Sequence, residues 1–344
     1  MKHVVKALAV SGLAVCAAQG AQARDLTIAG WGGNYQDAQR ESYYTPFAES
    51  KGMAFTETTY LGGLAEVKAM ADTGNVTWDL VTVEGADLQL GCDEGLFEVI
   101  SWDDIPTQDE LNPNAINECG AGNVVIGNGY AYNSETFPDA PQDWADFFDT
   151  EKFPGKRAVR NLPKWNLEYA LLADGVAVDD VYDVLSTSEG VDRAFAKLDM
   201  IKDDVQFWDA GSQPVEWLAA GNVVLSTAYN GRIITAKNEG QPLEFVWKNH
   251  IYSIDSWAIP TGAEHKDVAM EFIAFVSEAA PQAKFSELMP YGPTNMKTAE
   301  MLAEDIVKDL PTGKNTEDAL FFSDAFWIDH SDALTERWNN WATQ

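Results

Sequence analysis

Short apolar segments of strand character alternate with segments of helical period along most of this chain, and that alternation restricts its fold more than any other feature. Leu26-Thr27-Ile28-Ala29-Gly30 reads as a buried strand ending in a Gly-rich turn. Residues 35–51 then read as a helix with Tyr44, Phe47 and Ala48 on one face. Asp79-Leu80-Val81-Thr82-Val83 is a second buried strand, preceded by a helix around residues 64–71. Val124-Val125-Ile126-Gly127 and Tyr130-Ala131-Tyr132 are extended, and Phe153-Pro154-Gly155-Lys156 turns into a strand at 157–159. Residues 223–229 and 254–260 are further strands, with helices between and after them. The pattern predicts an α/β architecture with largely parallel sheets. At ~150 residues per domain, 344 residues suggest two domains. No fixed-period repeat or low-complexity linker separates them, so the two are expected to interleave.

The N-terminus is a processing signal rather than part of that fold. Lys2 and Lys6 carry positive charge, residues 7–18 form an apolar run, and Ala21-Gln22-Ala23 puts small residues at both recognition positions of a signal peptidase. Residues 1–23 therefore read as a signal peptide, and the protein as exported. Leu13-Ala14-Val15-Cys16 resembles a lipoprotein signal, but Val stands where a small residue should precede the Cys. No later stretch reaches the ~20 apolar residues of a spanning helix, so the mature chain is not expected to be membrane-embedded. Processing leaves Cys92 and Cys119, an even count in an oxidising compartment. A disulfide is the expected pairing, against the alternative of two buried free thiols. A metal site is disfavoured, because neither Cys has a second Cys or a His two to four positions away.

Charge excludes one broad class of function. Acidic side chains number 54 against 23 basic, a net charge of −31, and such a surface repels phosphates. Nucleic acid is therefore not an expected partner. The same acid excess has two readings: adaptation to salty surroundings, which the spread of the charge along the chain favours, or steering of a cationic solute toward a cleft. Hydrophobic residues make up 46% of the chain and aromatics 11%, enough for a large core. The usual catalytic signatures are missing: HExxH, GxSxG, a Walker loop and a GxGxxG after a strand. His250, His265 and His330 are scattered in polar contexts, and no cofactor is expected. With acids so numerous, a pair of carboxylates is weak evidence for hydrolysis.

Six segments in order resemble the spermidine/putrescine-binding proteins of ABC importers. They are Gly30-Trp31-Gly32-Gly33-Asn34-Tyr35, Asp79-Leu80-Val81, Gly129-Tyr130-Ala131-Tyr132-Asn133, Ala228-Tyr229-Asn230-Gly231-Arg232, Asp255-Ser256-Trp257-Ala258-Ile259-Pro260 and Tyr291-Gly292-Pro293-Thr294-Asn295. The resemblance implies a monomeric periplasmic receptor of the periplasmic-binding-protein type II fold, with two α/β lobes and a ligand cleft at the hinge. It would have no enzymatic activity and would deliver a small amine or zwitterion to a permease and its ATPase. Lobe 1 is expected to comprise residues 24–131 with 256–300, and lobe 2 residues 132–255 with 301–344. Asp255 stands where polyamine binders hold an amine, with Trp257 beside it as a ring face. Glu168 matches a second acidic contact, Tyr229 the stacking Trp, and Glu84 a hydroxyl contact, while Trp31 and Tyr35 would reach the cleft from the other lobe. Each has a plainer role to set against this: a turn cap for Asp255, a helix-start acid for Glu168, core packing for the aromatics, a surface charge for Glu84.

Arg232 departs from the polyamine pattern, which has a small or neutral residue on this turn. A fixed cation near Asp255 repels a second ammonium but can grip a carboxylate with two parallel hydrogen bonds. Arg232 and Asp255 together would suit an ω-amino acid such as γ-aminobutyrate, so polyamine and ω-amino acid both remain open. The rival functions are an exported hydrolase built on a carboxylate pair such as Glu168 and Asp255, and a ferric-ion binder using phenolates of Tyr130, Tyr132 or Tyr229.

Overall fold

The computed structural model describes residues 24–343, so the signal peptide expected at 1–23 lies outside the described residues. Nine strands form a single mixed sheet: β1 (Leu26–Gly30), β2 (Phe55–Thr59), β3 (Leu80–Val83), β4 (Gly120–Asn133), β5 (Arg157–Arg160), β6 (Val205–Trp208), β7 (Leu225–Tyr229), β8 (Leu243–Ala258) and β9 (Leu320–Phe321). Their order is β2-β1-β3-β8-β4-β7-β5-β6, with β9 beside β8. Pairing is parallel at each end of the sheet, between β1 and both β2 and β3, and between β5 and both β6 and β7. In the middle it is antiparallel: β3 with β8, β8 with β4, and β4 with β7. Apart from the two-residue β9, which runs parallel to β8, the largely parallel expectation thus holds toward the two edges, because β4 and β8 run through the middle as long return strands.

Those two strands join the lobes. β4 has 14 residues and β8 has 16, roughly 45–50 Å each at strand rise. Their outer halves belong to different cores. Ala121, Val124, Trp257 and Ile259 pack with Leu26, Phe47 and Phe272 in lobe 1, whereas Tyr130, Tyr132 and Ile251 pack with Trp144, Leu167 and Trp338 in lobe 2. The small Ala115, Val125 and Ile254 cluster sits between them. The C-terminal helix Asp324–Ala342 gives Phe326, Trp327 and Trp338 to the lobe 2 core, while Leu302 and Leu310 pack on Ala283.

The extended stretch expected over 124–127 and 130–132 forms as the continuous β4, with Gly127 and Gly129 inside it. Its pairing with β8 shifts register between Asn128 and Tyr130, opposite a bend of β8 in which Asn249 takes φ +51°. The expected helix at 35–51 forms as Gly33–Gln39, a π-turn at Arg40–Tyr44, and Thr45–Lys51, closed by a left-handed Gly52.

Cys92 and Cys119 form the expected disulfide, their Cα atoms 5.7 Å apart. It ties the end of helix Gly85–Asp93 to the segment entering β4. For the 27-residue separation the chain-entropy account gives roughly 3 to 4 kcal/mol. A Cys92→Ala/Cys119→Ala double variant should therefore melt roughly 5–10 °C lower by differential scanning calorimetry. An unchanged melting temperature would show that the loop is held by packing alone.

Candidate functional site

In a sheet of this kind ligands gather beyond the carboxyl ends of the parallel strands, where the chain turns into loops and helix N-termini. Trp31 follows β1, Glu84 follows β3, Lys164 and Trp165 lie in the turn after β5, and Arg232 is in the first turn of helix Asn230–Asn238 after β7. All five line one cavity of about 220 Å³ between the lobes, together with Tyr35, Tyr229, Asp255, Tyr291 and Asp324. That is the volume of roughly seven liquid waters. Roomier hollows among the described residues include one of about 530 Å³ against the disulfide, one of about 1120 Å³ on lobe 1 beside helix Lys266–Val276, and a shallow one of about 440 Å³ around Asp183 and Arg193.

Asp255 enters the cavity at a defect in the hinge pairing. The register of β4 and β8 slips between Gly122 and Val124, so Asp255 faces Val124 and Asn123 is left over. The Asn123 amide instead donates to the Tyr35 hydroxyl at 3.0 Å. Asp255 is only 6% exposed. No ion pair reaches its carboxylate among the described residues. The Trp31 indole N–H faces it without closing to hydrogen-bond geometry and has no other partner. Burial first, then the charges of Glu84 and Asp324, hold the Asp255 carboxyl well above the usual range, against the opposing pull of Lys164 and Trp31.

The opposite charge is present in the same cavity. Arg232 pairs with none of the described carboxylates, whereas Arg24, Arg40, Arg193 and Arg337 each hold an acid. It lies beside the Tyr291 phenol, which burial pushes up to about 12 against the stabilising guanidinium. Lys164 reaches across the cleft to Glu84 at 3.4 Å and stands 4.7 Å over the Phe322 ring. Asp324 also crosses the cleft, its carboxylate packed against Gly85 at the start of helix Gly85–Asp93. Burial pushes it up to about 6, with the Ala86 backbone N–H and Lys164 pulling the other way. Both contacts join lobe 1 to lobe 2, so the cleft is closed in this structure.

Six of the eight sequence-derived positions thus converge: Trp31, Tyr35, Glu84, Tyr229, Arg232 and Asp255. Glu168 and Trp257 do not. Glu168 is fully buried in the lobe 2 core, accepting from Trp327 Nε1 at 2.7 Å and from the Tyr182 hydroxyl at 3.2 Å, and burial pushes it up to about 7. The cavity is reached one turn earlier, by Lys164 and Trp165. Trp257 shares a strand face with Asp255 but lies two residues further along β8, where that face has entered lobe 1; its ring packs on Phe272 at 5.3 Å. The hydrolase pair of Glu168 and Asp255 is accordingly not assembled. Nor are Tyr130 and Tyr132 at the cavity: both pack in the lobe 2 core, where the Tyr130 hydroxyl donates to the Asp143 carbonyl at 2.8 Å.

Lys164, Trp165, Tyr291 and Asp324 were missed as site residues, although Tyr291 stands in one of the resembling segments. One signal was readable, that Pro163-Lys164-Trp165 follows a strand; the structure adds that Trp165 takes φ +70°, a strained conformation for a residue with a side chain, of the sort concentrated at functional sites. Asp324 had none, since it arrives from the distant C-terminal helix.

A model of the family described as bacterial extracellular solute-binding protein matches residues 42–315. The Gamma-aminobutyric acid-binding protein of Pseudomonas aeruginosa is 45% identical, covering 99% of this chain and 97% of its own. The spermidine/putrescine-binding periplasmic protein of Escherichia coli is 20% identical over 76% of each chain. A solved GABA receptor superposes with a TM-score of 0.83 at 33% identity, over 93% of this chain and 98% of that one. These likenesses agree with the two-lobed type II architecture expected from the six segments.

Proposed function

This chain belongs to the bacterial extracellular solute-binding proteins, and we propose that within that family it is a receptor for an ω-amino acid of the γ-aminobutyrate type. The observation that carries the reading is the charge layout: a buried carboxylate and a guanidinium, neither with an ion-pair partner among the described residues, line the same small cavity. The Asp255 charge is removed from water and is costly unless something pairs with it, while Arg232 keeps contact with water and is held by none of the described acids. A zwitterion answers both, its ammonium pairing with Asp255 and its carboxylate with Arg232. The name of the 45% identical relative points the same way.

Binding would work by population shift. The ligand touches both lobes only when they are closed, so it stabilises the state in which Lys164 meets Glu84 and Asp324 meets Gly85. The closed receptor would present its cargo to a permease and ATPase at the membrane, from a periplasmic location reached through the N-terminal signal. A diamine is the second reading, favoured by Glu84 and Asp324, either of which could take another ammonium; Arg232 opposes it.

Arg232→Ala separates the two. By isothermal titration calorimetry it should weaken γ-aminobutyrate at least tenfold while leaving putrescine unchanged or improved. Equal losses for both ligands would remove Arg232 from carboxylate recognition.

A further inference from the structure

One layer behind the lobe 2 wall of the cavity lies a cation that the charge layout above does not use. Arg160, the last residue of β5, is absent from the cavity lining and borders instead a void of about 10 Å³ that Asn128 and Trp165 share. Its guanidinium carbon is 4.9 Å from the ring centre of Trp165, 5.7 Å from Trp208 and 5.8 Å from Tyr229. No carboxylate comes within 4 Å of it among the described residues, so aromatic faces are its main electrostatic partners. Nη1 donates to the Tyr229 hydroxyl oxygen at 2.5 Å.

That bond fixes what Tyr229 can do. A phenol whose oxygen accepts from a guanidinium has its own hydrogen left to donate, and no described protein group takes it. Two further donors on the same wall are equally uncommitted: Trp165 Nε1 and Asn128 Nδ2 are buried and have no partner. A buried donor that nothing answers destabilises the protein. The wall as a whole therefore offers hydrogens, with an unneutralised cation behind it, and lacks only an acceptor.

We propose that Arg160 is a positioning residue for the ligand's carboxylate: it aligns and polarises Tyr229 so that the phenol hydrogen joins Arg232 in holding the anionic end. The proposal rests on the ω-amino-acid reading, and it places selectivity for a carboxylate in a residue the ligand never touches. Arg232 supplies the direct grip and Arg160 sets the potential of the wall from behind. An amine lacking a carboxylate gains nothing from either.

The test compares γ-aminobutyrate with butylamine, the latter followed by competition at millimolar concentration, on wild type, Arg160→Met, Arg160→Lys, Tyr229→Phe and the Arg160→Met/Tyr229→Phe pair. Arg160→Met and Tyr229→Phe should each weaken γ-aminobutyrate about tenfold and change butylamine less than twofold. The pair should fall no further than the worse single variant, and Arg160→Lys should recover part of the loss. If Arg160→Met misfolds, Tyr229→Phe and Arg160→Lys carry the comparison. Equal weakening of both ligands, or unaltered γ-aminobutyrate binding in Tyr229→Phe, would overturn the proposal. Absence of γ-aminobutyrate binding by the wild type would instead overturn the ω-amino-acid reading on which it stands.

Discussion

Asp255→Asn should abolish tight binding and at the same time raise the melting temperature of the ligand-free protein. The two effects have one cause. The Asp255 carboxylate is buried with no ion-pair partner among the described residues, so once ionised it carries the cost of an unmet charge that the ligand's ammonium relieves. Asparagine keeps the shape, removes the cost and removes the counter-charge together. Breaking a buried pair on one side typically costs 3 to 5 kcal/mol, which corresponds to a loss of affinity of roughly 10² to 10³ or more. The pH dependence follows the same logic. The carboxyl is raised in the folded state, so from about pH 4, the ordinary Asp value, up to its raised value, the native chain holds a proton that the unfolded chain has released. Stability of the empty protein therefore falls as pH rises through that window, while affinity for an ammonium rises, since only the ionised carboxylate pairs with it. Asparagine should flatten Asp255's share of both dependences. A variant that loses binding and also melts lower would instead mark Asp255 as a structural residue.

The second large effect is expected from adding a single methyl group. A Cβ built on Gly85 lies 2.1 Å from Asp324 Oδ2 and 2.7 Å from its Cγ, so the Asp324 carboxylate must leave its place against the helix start. Gly85 belongs to lobe 1 and Asp324 to the C-terminal helix on lobe 2, so the clash exists only when the cleft is shut. Gly85 has an ordinary helical backbone at the start of Gly85–Asp93, where alanine is at least as favourable. Gly85→Ala should leave the ligand-free fold and melting temperature intact, yet weaken ligand binding by roughly ten- to a hundredfold, the 1 to 3 kcal/mol of overpacking acting on the closed state alone. Small-angle scattering should show the variant staying open at ligand concentrations that compact the wild type. Removing the obstacle in Gly85→Ala/Asp324→Ala should restore closure. If Gly85→Ala binds and compacts normally, the Asp324 contact is not a condition of closing.

The legible parts of this molecule were those in which local pattern and final environment coincide. β1, β3, β5 and β7 were read within a residue or two because each is a short apolar run ended by a turn, and the positions just beyond them are where the cavity lies. Arg232 was legible as a departure from a pattern, a cation where polyamine binders have none. β2 was not seen, since Phe55-Thr56-Glu57-Thr58-Thr59 is polar at most positions and owes its place to pairing with β1. Glu168 and Trp257 show what sequence spacing leaves out. An acid at a helix start looks the same whether its helix faces the cleft or, as here, turns it toward Tyr182 and Trp327. A tryptophan two positions from Asp255 shares its strand face, yet that face leaves the cavity and enters the lobe 1 core within those two residues. Lys164 and Asp324 owe their roles to contacts formed only when two distant stretches close on each other.

The account turns on a cavity with two unlike charged ends, and one calorimetric series on the unmodified protein addresses it. γ-Aminobutyrate, butylamine, butyrate and putrescine differ in which ends they can satisfy. The charge layout predicts that γ-aminobutyrate alone binds stoichiometrically and tightly, with butylamine and butyrate each weaker by about a hundredfold or more and putrescine well behind. Putrescine or butylamine binding as tightly as γ-aminobutyrate would contradict it, because the guanidinium end would then have no part in recognition.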